Sequence, residues 1–298
     1  MPESIADVDR RTPTSRTFIS QRLRLHYVEW GDPDAPPLVL LHGGRDHCRS
    51  WDWVARRLSD RWRVIAPDLR GHGDSQWSNN GLYVIAGYIY DFAQLIHQLK
   101  LAPVTVIAHS LGGNVALRYT GLYPDHVRRI VAVEGLGFGP DSKRGQMTAV
   151  ERMHEWIDRL RDHAARSPRR YPTLDEAIAR MREANAHLNE EQVRHLTIHG
   201  IDQNEDGSFS WKFDPYVRQW APYDMTYDEI ASLWSRITCP VLLMGGTESW
   251  HPDPRKDGRA RYFKNAEAVM FEGAGHWVHH DRLDDFMAHV VPFIEARD

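Results

Sequence analysis

A serine at a sharp corner is the first group in this chain that could do covalent chemistry. Ser110 follows a short apolar run, residues 104–108, and precedes a stretch of helical composition that begins at Asn114. That order predicts a buried strand, a tight turn and a helix whose first amides point at any anion formed beside the serine. Ala108 and Gly112 flank it as in the G-x-S-x-G pattern of a nucleophile elbow, with alanine for the first glycine. An ordinary strand-to-helix turn is the alternative that these residues alone leave open.

A serine hydroxyl is a weak nucleophile at neutral pH, so this chemistry needs a base. His276 is the candidate, because it lies late in the chain on a glycine-flanked loop after the last apolar run. His279 and His280 are nearby alternatives at the entry to a helix. The stretch 276–281 could suggest metal ligands, but it lacks H-E-x-x-H and its spacing fits a loop followed by a helix cap at Asp281. The sequence therefore predicts no metal site, and no cofactor is expected.

The elements that must position these groups are short buried strands separated by helices. Apolar runs typical of buried strands recur at 37–41, 64–66, 104–108, 130–133, 241–244 and 268–271. Helical periods stand between them, so the pattern predicts parallel βαβ units and an open sheet covered on both faces. The alternating stretch 23–28 predicts a half-exposed antiparallel edge strand. Ligands of such sheets bind beyond the carboxyl ends of the strands, which is where residues 42–44, Ser110 and Glu134 fall.

Length and composition narrow the class of protein. The chain has 298 residues, of which 42% are hydrophobic and 26% charged, which suits one large domain or a domain with an insertion. A net charge of −4 without any block of Lys and Arg argues against a nucleic-acid partner. No signal peptide and no run of 18 apolar residues is visible, so we expect no membrane partner. Cys48 and Cys239 cannot form a disulfide framework, and together these features favour a cytoplasmic protein.

The alternation of strands and helices stops after residue 135 and resumes at about residue 237. Between these points the pattern predicts three helices and, at residues 206–207, a hairpin turn. We therefore expect a flexible arm of residues 1–16, a core of residues 17–135 and 237–298, and a helical lid of residues 136–236. An independent second domain is the alternative, but the return of the strand pattern favours an insertion over the site.

The chain resembles the α/β-hydrolase family over residues 20–298. The matching motifs are L-L-H-G-G at 40–44, D-L-R-G-H-G-D-S at 68–75, A-H-S-L-G-G at 108–113, Y-P-D-H-V at 123–127 and G-A-G-H at 273–276. The resemblance implies an α/β fold with a mostly parallel sheet, helices on both faces and a helical cap inserted after the sixth strand. Because this fold supports many reactions, the function must be argued from the site.

The resemblance also implies roles for the residues around the elbow. Ser110 becomes the nucleophile and His276 the base of a Ser-His-acid triad. The oxyanion hole would use the amide of Leu111, directly after the nucleophile, and that of Gly44, with Gly43 in the same loop.

The acid of the triad has two candidates. Most relatives carry an aspartate three residues after a glycine at the end of the last strand but one. Aligned on Gly246 that position is Ser249, and aligned on Gly245 it is Glu248. Glu134 directly follows the preceding strand, at a position that some relatives use instead, and it needs no shift. We prefer Glu134 as the acid and keep Glu248 as the alternative.

A serine at the elbow favours acyl transfer, since relatives that displace halide or open epoxides carry aspartate there. We expect a serine hydrolase that cleaves a carboxylic ester or lactone through an acyl-enzyme. A carbon–carbon bond hydrolase of ring-cleavage diketones and a non-catalytic ligand-binding relative are the alternatives. Trp51, Trp250 and Trp277 stand near the motifs and favour an apolar or aromatic small-molecule substrate. Core packing is the competing explanation of these tryptophans.

Overall fold

The structure is a computed structural model that describes residues 12–139, 142–164 and 168–296. The strands are β1 Thr14–Ser20, β2 Leu23–Trp30, β3 Pro37–Leu41, β4 Arg63–Pro67, β5 Val104–His109, β6 Val127–Val133, β7 Ile201–Gln203, β8 Phe209–Trp211, β9 Val241–Gly246 and β10 Ala266–Phe271. The helices are α1 Asp52–Leu58, α2 Ile85–Gln98, α3 Ser110–Leu122, α4 Lys143–Gln146, α5 Ala149–Ala164, α6 Leu174–Ala184, α7 Glu190–Gly200, α8 Tyr227–Arg236, α9 Val278–Asp281 and α10 Leu283–Glu295.

Eight of the strands form one sheet in the order β1-β2-β4-β3-β5-β6-β9-β10. The β1–β2 and β2–β4 pairs are antiparallel, and the remaining pairs are parallel. β4 pairs with one edge of β3, and β5, which comes later in the chain, pairs with the other edge. The loops after β3 and β5 therefore diverge at this point, and such a switch in strand order is where open α/β sheets bind ligands.

Both faces of the sheet are covered by helices, which confirms the predicted fold class. Val104, Val106 and Ala108 of β5 pack into a core shared with α2, α3 and α8. Ile107 of the same strand packs into a second core shared with α1 and α10. Because successive side chains of a strand point to opposite faces, a strand buried on both sides is a continuous apolar run.

The N-terminal edge of the sheet differs from the prediction. β1, Thr14–Ser20, is the edge strand, and its first residues lie within the range predicted as a flexible arm. β2, predicted as the half-exposed edge, is almost entirely buried because β4 pairs along its other side. Only Phe18 and Ser20 of β1 are buried, so the strand carries little apolar signal. Residues 1–11 of the predicted arm lie outside the described residues.

The insertion between β6 and β9 holds the predicted helices as α5, α6 and α7 and the predicted hairpin as β7–β8. α8 differs from the rest of this range, because it packs on α3 in the core. Trp234 of α8 is 1% exposed and stacks on Phe263. The segment predicted as a lid therefore ends in a helix that belongs to the core. In the described ranges, no helix is both long and apolar enough to span a membrane.

Candidate active site

Ser110 is the first residue of α3, and its backbone is held in the left-handed region with φ +48°. This conformation is uncommon for a residue with a side chain and persists only where packing enforces it. Gly112 supplies that packing: a Cβ built there would lie 2.6 Å from His42 O and 2.7 Å from Leu41 O. The Gly112 amide donates to His42 O at 3.1 Å. The start of α3 is thus pressed against the end of β3, which fixes the corner that carries the serine.

Glu134 follows β6 and also has a positive φ, +51°. Its amide donates to Met244 O at 2.8 Å, so the backbone stays in register with β9 beyond the end of β6. Next to it, Gly135 crosses α3 at Gly113, where a Cβ would lie only 2.6 Å from the Gly135 Cα. Two glycines in contact therefore let the β6 loop pass the first turn of α3 and bring the carboxylate to the elbow.

The Glu134 carboxylate contacts the imidazole of His276. Oε2 lies 2.5 Å from His276 Nδ1 and accepts a hydrogen bond from Ser249 Oγ at 2.5 Å, while Oε1 accepts one from the Gly246 amide at 3.0 Å. The carboxylate side chain is fully buried. Because an ionised carboxylate only accepts, Nδ1 donates, and Nε2 keeps its lone pair. That is the tautomer a general base needs.

The loop that carries His276 is fixed by two further contacts. His109 donates from Nε2 to the His276 carbonyl at 2.9 Å, with the two rings 4.6 Å apart. Burial, and then repulsion from His276, lower the pKa of His109 well below its usual value, so this ring is neutral. Asp281 accepts from the Gly275 amide at 2.8 Å. Asp281 was predicted to cap the last helix, but it ends α9, and the last helix begins at Leu283.

The loop after β3 lies against the elbow. A Cβ on Gly43 would come within 2.7 Å of His109 Nδ1 and 3.2 Å of the Ser110 Cβ, so no larger residue fits there without movement. A Cβ on Gly44 would lie 3.9 Å from the Leu111 side chain. The structure thus brings the predicted oxyanion residues Gly43, Gly44 and Leu111 beside Ser110.

Two polar groups behind this loop are occupied with structure. His42 Nε2 accepts the Leu69 amide at 3.0 Å and Nδ1 donates to Gly43 O at 2.6 Å. Burial, followed by repulsion from a neighbouring histidine, lowers the pKa of His42 to about 3. Burial alone would raise the pKa of the Asp68 carboxyl, but the 2.7 Å hydrogen bond from His26 holds it below its usual value. Through these contacts and the Cys48 amide that Asp68 accepts, the two groups join the loops after β3 and β4.

In the described part of the chain, no contact joins the side chain of Glu248, the alternative acid, to His276. Its side chain is 59% exposed, and Oε2 lies 3.8 Å from His187 Nε2. Among the contacts of the described residues, no hydrogen bond joins Ser110 Oγ to His276. Proton-transfer contacts of this kind often tighten only when substrate is bound.

The three tryptophans predicted to line the pocket differ in position. Trp51 is fully buried and stacks on His279 at 4.3 Å, so its assignment to the pocket was wrong and it packs in the core. Trp277 is partly buried and packs against the apolar cluster formed by α6 and α7. Trp250 is 63% exposed, with its ring 5.3 Å from that of His276.

Two residues in the surroundings of His276, Phe138 and His251, were not predicted from the sequence. Phe138 lies 5.2 Å from Trp220 and 6.2 Å from Trp250, ring to ring, and these three side chains form an exposed aromatic patch that reaches His276 through Trp250. His251 is buried and lies nearly parallel to His276, 5.6 Å away. Burial, and then repulsion from His276, lower the pKa of His251 to about 3. The sequence places four tryptophans in the predicted lid, which indicates an aromatic interior there: Trp156, Trp211, Trp220 and Trp234. No sequence signal pointed to His251.

A separate cavity of about 560 Å³ opens between the N-terminal strands and the β7–β8 hairpin. Its walls include the charged or polar side chains of Arg24, His26, Asp74, Asp202 and Lys212 together with Trp77 and Trp211. Ser110, His276 and Glu134 do not line it. The cavity is therefore distinct from the candidate site.

Comparison with known proteins gives consistent matches. The family described as alpha/beta hydrolase fold matches residues 36–283. A Mus musculus protein named sn-1-specific diacylglycerol lipase ABHD11 is 28% identical over 269 residues, 89% of this chain and 82% of that protein. The 3-hydroxybutyrate-oligomer hydrolase of Cupriavidus necator is 31% identical over 242 residues, 76% of this chain and 77% of that protein. The crystal structure of the hypothetical protein PA1622 from Pseudomonas aeruginosa has a TM-score of 0.83 at 22% identity, covering 95% of this chain and 99% of that one.

Proposed function

The chain belongs to the alpha/beta hydrolase fold family, and from this premise we propose that it hydrolyses carboxylic esters or lactones with Ser110 as nucleophile. Relatives named as a lipase and as an oligomer hydrolase support an enzyme that hydrolyses ester bonds. The observation that carries the proposal is the buried Glu134 carboxylate held 2.5 Å from His276 Nδ1, next to a strained serine at a helix N-terminus.

The reaction follows from the positions of these groups. His276 Nε2 takes the hydroxyl proton as Ser110 Oγ attacks the substrate carbonyl, and Glu134 stabilises the imidazolium that results. The imidazolium then donates its proton to the leaving oxygen, which gives an acyl-enzyme and an alcohol. Water repeats the sequence, with the same ring as base, and releases the acid.

The negative charge on the tetrahedral intermediate needs donors at the elbow. The first amides of a helix have no carbonyl partner within that helix. Since the Gly112 amide already donates to His42 O, the amide of Leu111 is the one beside Ser110 that would bind the oxyanion. Gly44, in the loop that lies against Leu111, would supply the second donor.

We infer an apolar or aromatic group on the substrate from the aromatic patch of Phe138, Trp220 and Trp250. These side chains are 39%, 42% and 63% exposed, and Trp250 brings the patch to within 5.3 Å of the His276 ring. Exposed aromatic surface next to a polar reaction centre is typical of sites that bind an apolar ligand and orient it with few polar groups.

The experiment that tests the proposal compares Ser110→Ala with Ser235→Ala, a control on α8 where the hydroxyl only bonds the Ala231 carbonyl. Turnover of a panel of p-nitrophenyl esters and lactones and labelling by a fluorophosphonate probe are measured on both. We expect Ser110→Ala to lose turnover and labelling, and the control to keep both. Near-normal turnover by the Ser110→Ala protein would exclude Ser110 as nucleophile. Cleavage of a ring-cleavage diketone without any ester turnover would select the carbon–carbon bond hydrolase instead.

A further inference from the structure

Three side chains of types that can bind a metal ion come together from three separate loops around His276. Glu134 follows β6, His251 lies in the loop after β9, and His276 follows β10. Each offers one ligand atom, and these atoms all lie within 4.8 Å of one another. Glu134 and His251 are buried, while the His276 side chain is 27% exposed, so the cluster has one side open to solvent.

We propose that Glu134, His251 and His276 bind a divalent transition-metal ion of the Zn²⁺ type, and that the bound ion arrests the base. Two imidazole nitrogens and one carboxylate oxygen form the three-ligand set that zinc takes in open sites, with water in the fourth position. Magnesium and calcium prefer oxygen ligands and fit this donor set poorly. The half of the proposal that concerns inhibition rests on the proposed ester hydrolysis; the binding half does not.

The three ligand atoms are close enough to surround one metal ion, but their separations differ from those of a metal-bound site. Ligand atoms around a tetrahedral zinc stand roughly 3.4 Å apart at ordinary bond lengths. The 2.5 Å contact between Glu134 Oε2 and His276 Nδ1 must therefore widen when an ion enters, while separations of up to 4.8 Å elsewhere in the cluster must shorten. The His251 and His276 rings are already nearly parallel, at 16°. Trp250 covers the His251 ring at 3.7 Å and is itself mostly exposed, so it can move aside without disturbing the core.

Binding and base catalysis exclude each other. His276 Nδ1 carries the proton that it donates to Glu134 Oε2, and Nε2 carries the lone pair. When the ion takes Nδ1, the N–H bond breaks and its proton passes to water, a metal–nitrogen bond forms, and Nε2 takes up one proton from water in exchange. A ring protonated on Nε2 cannot accept the proton of Ser110.

Two other clusters of this type occur in the described parts of the chain: His26, Cys48 and Asp68, and Asp52, His195 and His199. The first is buried throughout, and its carboxylate accepts the amides of Cys48 and Asp74. In the second, the Asp52 carboxylate is already paired with the Arg49 guanidinium at 2.6 Å. A cation therefore already neutralises that carboxylate, which leaves the cluster at the base as the better site.

The test uses the whole protein and ZnCl₂ alone. Zn²⁺ affinity is measured by calorimetry, Co²⁺ coordination by visible absorption, and inhibition on a p-nitrophenyl ester. His251→Phe keeps an aromatic ring against His276 but removes the ligand, and His251→Gln serves as a second variant if the first does not fold. His199→Gln is the matched control, because it removes a histidine from the competing cluster.

We expect either His251 variant to weaken Zn²⁺ binding by at least about tenfold, in line with the cost of disturbing a metal site, and to weaken inhibition in parallel. The His199→Gln protein should bind and be inhibited like the unmutated protein, and MgCl₂ should not compete. Unchanged Zn²⁺ affinity in the His251 variants, or loss of binding in His199→Gln, overturns the proposal. Zn²⁺ binding that depends on His251 in a protein that hydrolyses no ester would leave the site standing and refute the proposed function instead.

Discussion

Replacing Glu134 by glutamine tests the assignment of the triad acid most directly, because the structure dictates how the amide would sit. The Gly246 amide donates to Oε1 at 3.0 Å, so the glutamine oxygen would take that position. The NH₂ group would then occupy the place of Oε2, against Ser249 Oγ and His276 Nδ1. Nδ1 would have to accept, and the proton would move to Nε2, where it blocks the transfer from Ser110.

The expected loss is large because the wrong tautomer removes the base without disturbing the fold. A change of this kind costs about 10⁴ in kcat in Ser-His-Asp hydrolases, which corresponds to about 5 kcal/mol of transition-state stabilisation. Glu248→Gln is the matched control, since that carboxylate is 59% exposed and lies 3.8 Å from His187. We expect the control to stay within about twofold of the unmutated protein, as for an exposed charge pair.

The assay is steady-state turnover of a p-nitrophenyl ester across substrate concentration, so that kcat and KM are separated. Thermal unfolding of each variant is measured beside it to verify the fold. A Glu134→Gln protein that keeps more than about a tenth of the original kcat, or equal losses in both variants, would refute the assignment of Glu134 as the acid.

Three further outcomes are expected. Ser249→Ala removes the hydroxyl that donates to Glu134 at 2.5 Å. Since a hydrogen bond to a charged group contributes about 1.5–3 kcal/mol, kcat should fall roughly tenfold or more with KM unchanged. An unaltered kcat would contradict this positioning role. His279→Phe should raise the free energy of unfolding by about 1 kcal/mol in urea titrations, because both buried ring nitrogens have no partner among the described residues; destabilisation would count against the argument. Burial lowers the folded-state pKa of His42 and of His280 to about 3, so below pH 6.5 the unfolded chain binds more protons than the folded protein. The free energy of unfolding should therefore drop by roughly 2 kcal/mol per ring when the pH is lowered from 7 to 5. Equal free energies at the two pH values would be inconsistent with neutral buried rings.

The sequence predicted the features that depend on short, continuous stretches of residues. The apolar runs located the parallel strands, and the motif around Ser110 located the corner between β5 and α3. The preference for Glu134 over Glu248 agrees with the observed contact to His276 and stays a prediction until the variants are measured.

The features that the sequence did not predict depend on neighbours distant along the chain. β1 was missed because its residues are mostly exposed and show no apolar period. Trp51 stands near the oxyanion loop in sequence, yet its side chain turns into the core, and nearness in sequence cannot distinguish these directions. His251 meets His276 only because β9 and β10 run side by side in parallel, which brings their following loops together.

The hydrogen bond from Ser249 to Glu134 has a consequence for how an acid is supplied to this fold. Ser249 stands where an aspartate would be expected by alignment on Gly246, and its hydroxyl reaches the same carboxylate oxygen that contacts the imidazole. The loops after two adjacent strands, β6 and β9, thus reach the same position beside the imidazole. A carboxylate placed there by either loop would contact His276 Nδ1. The position of the charge is set by the sheet, whereas the residue number that provides it can change from one strand to the next.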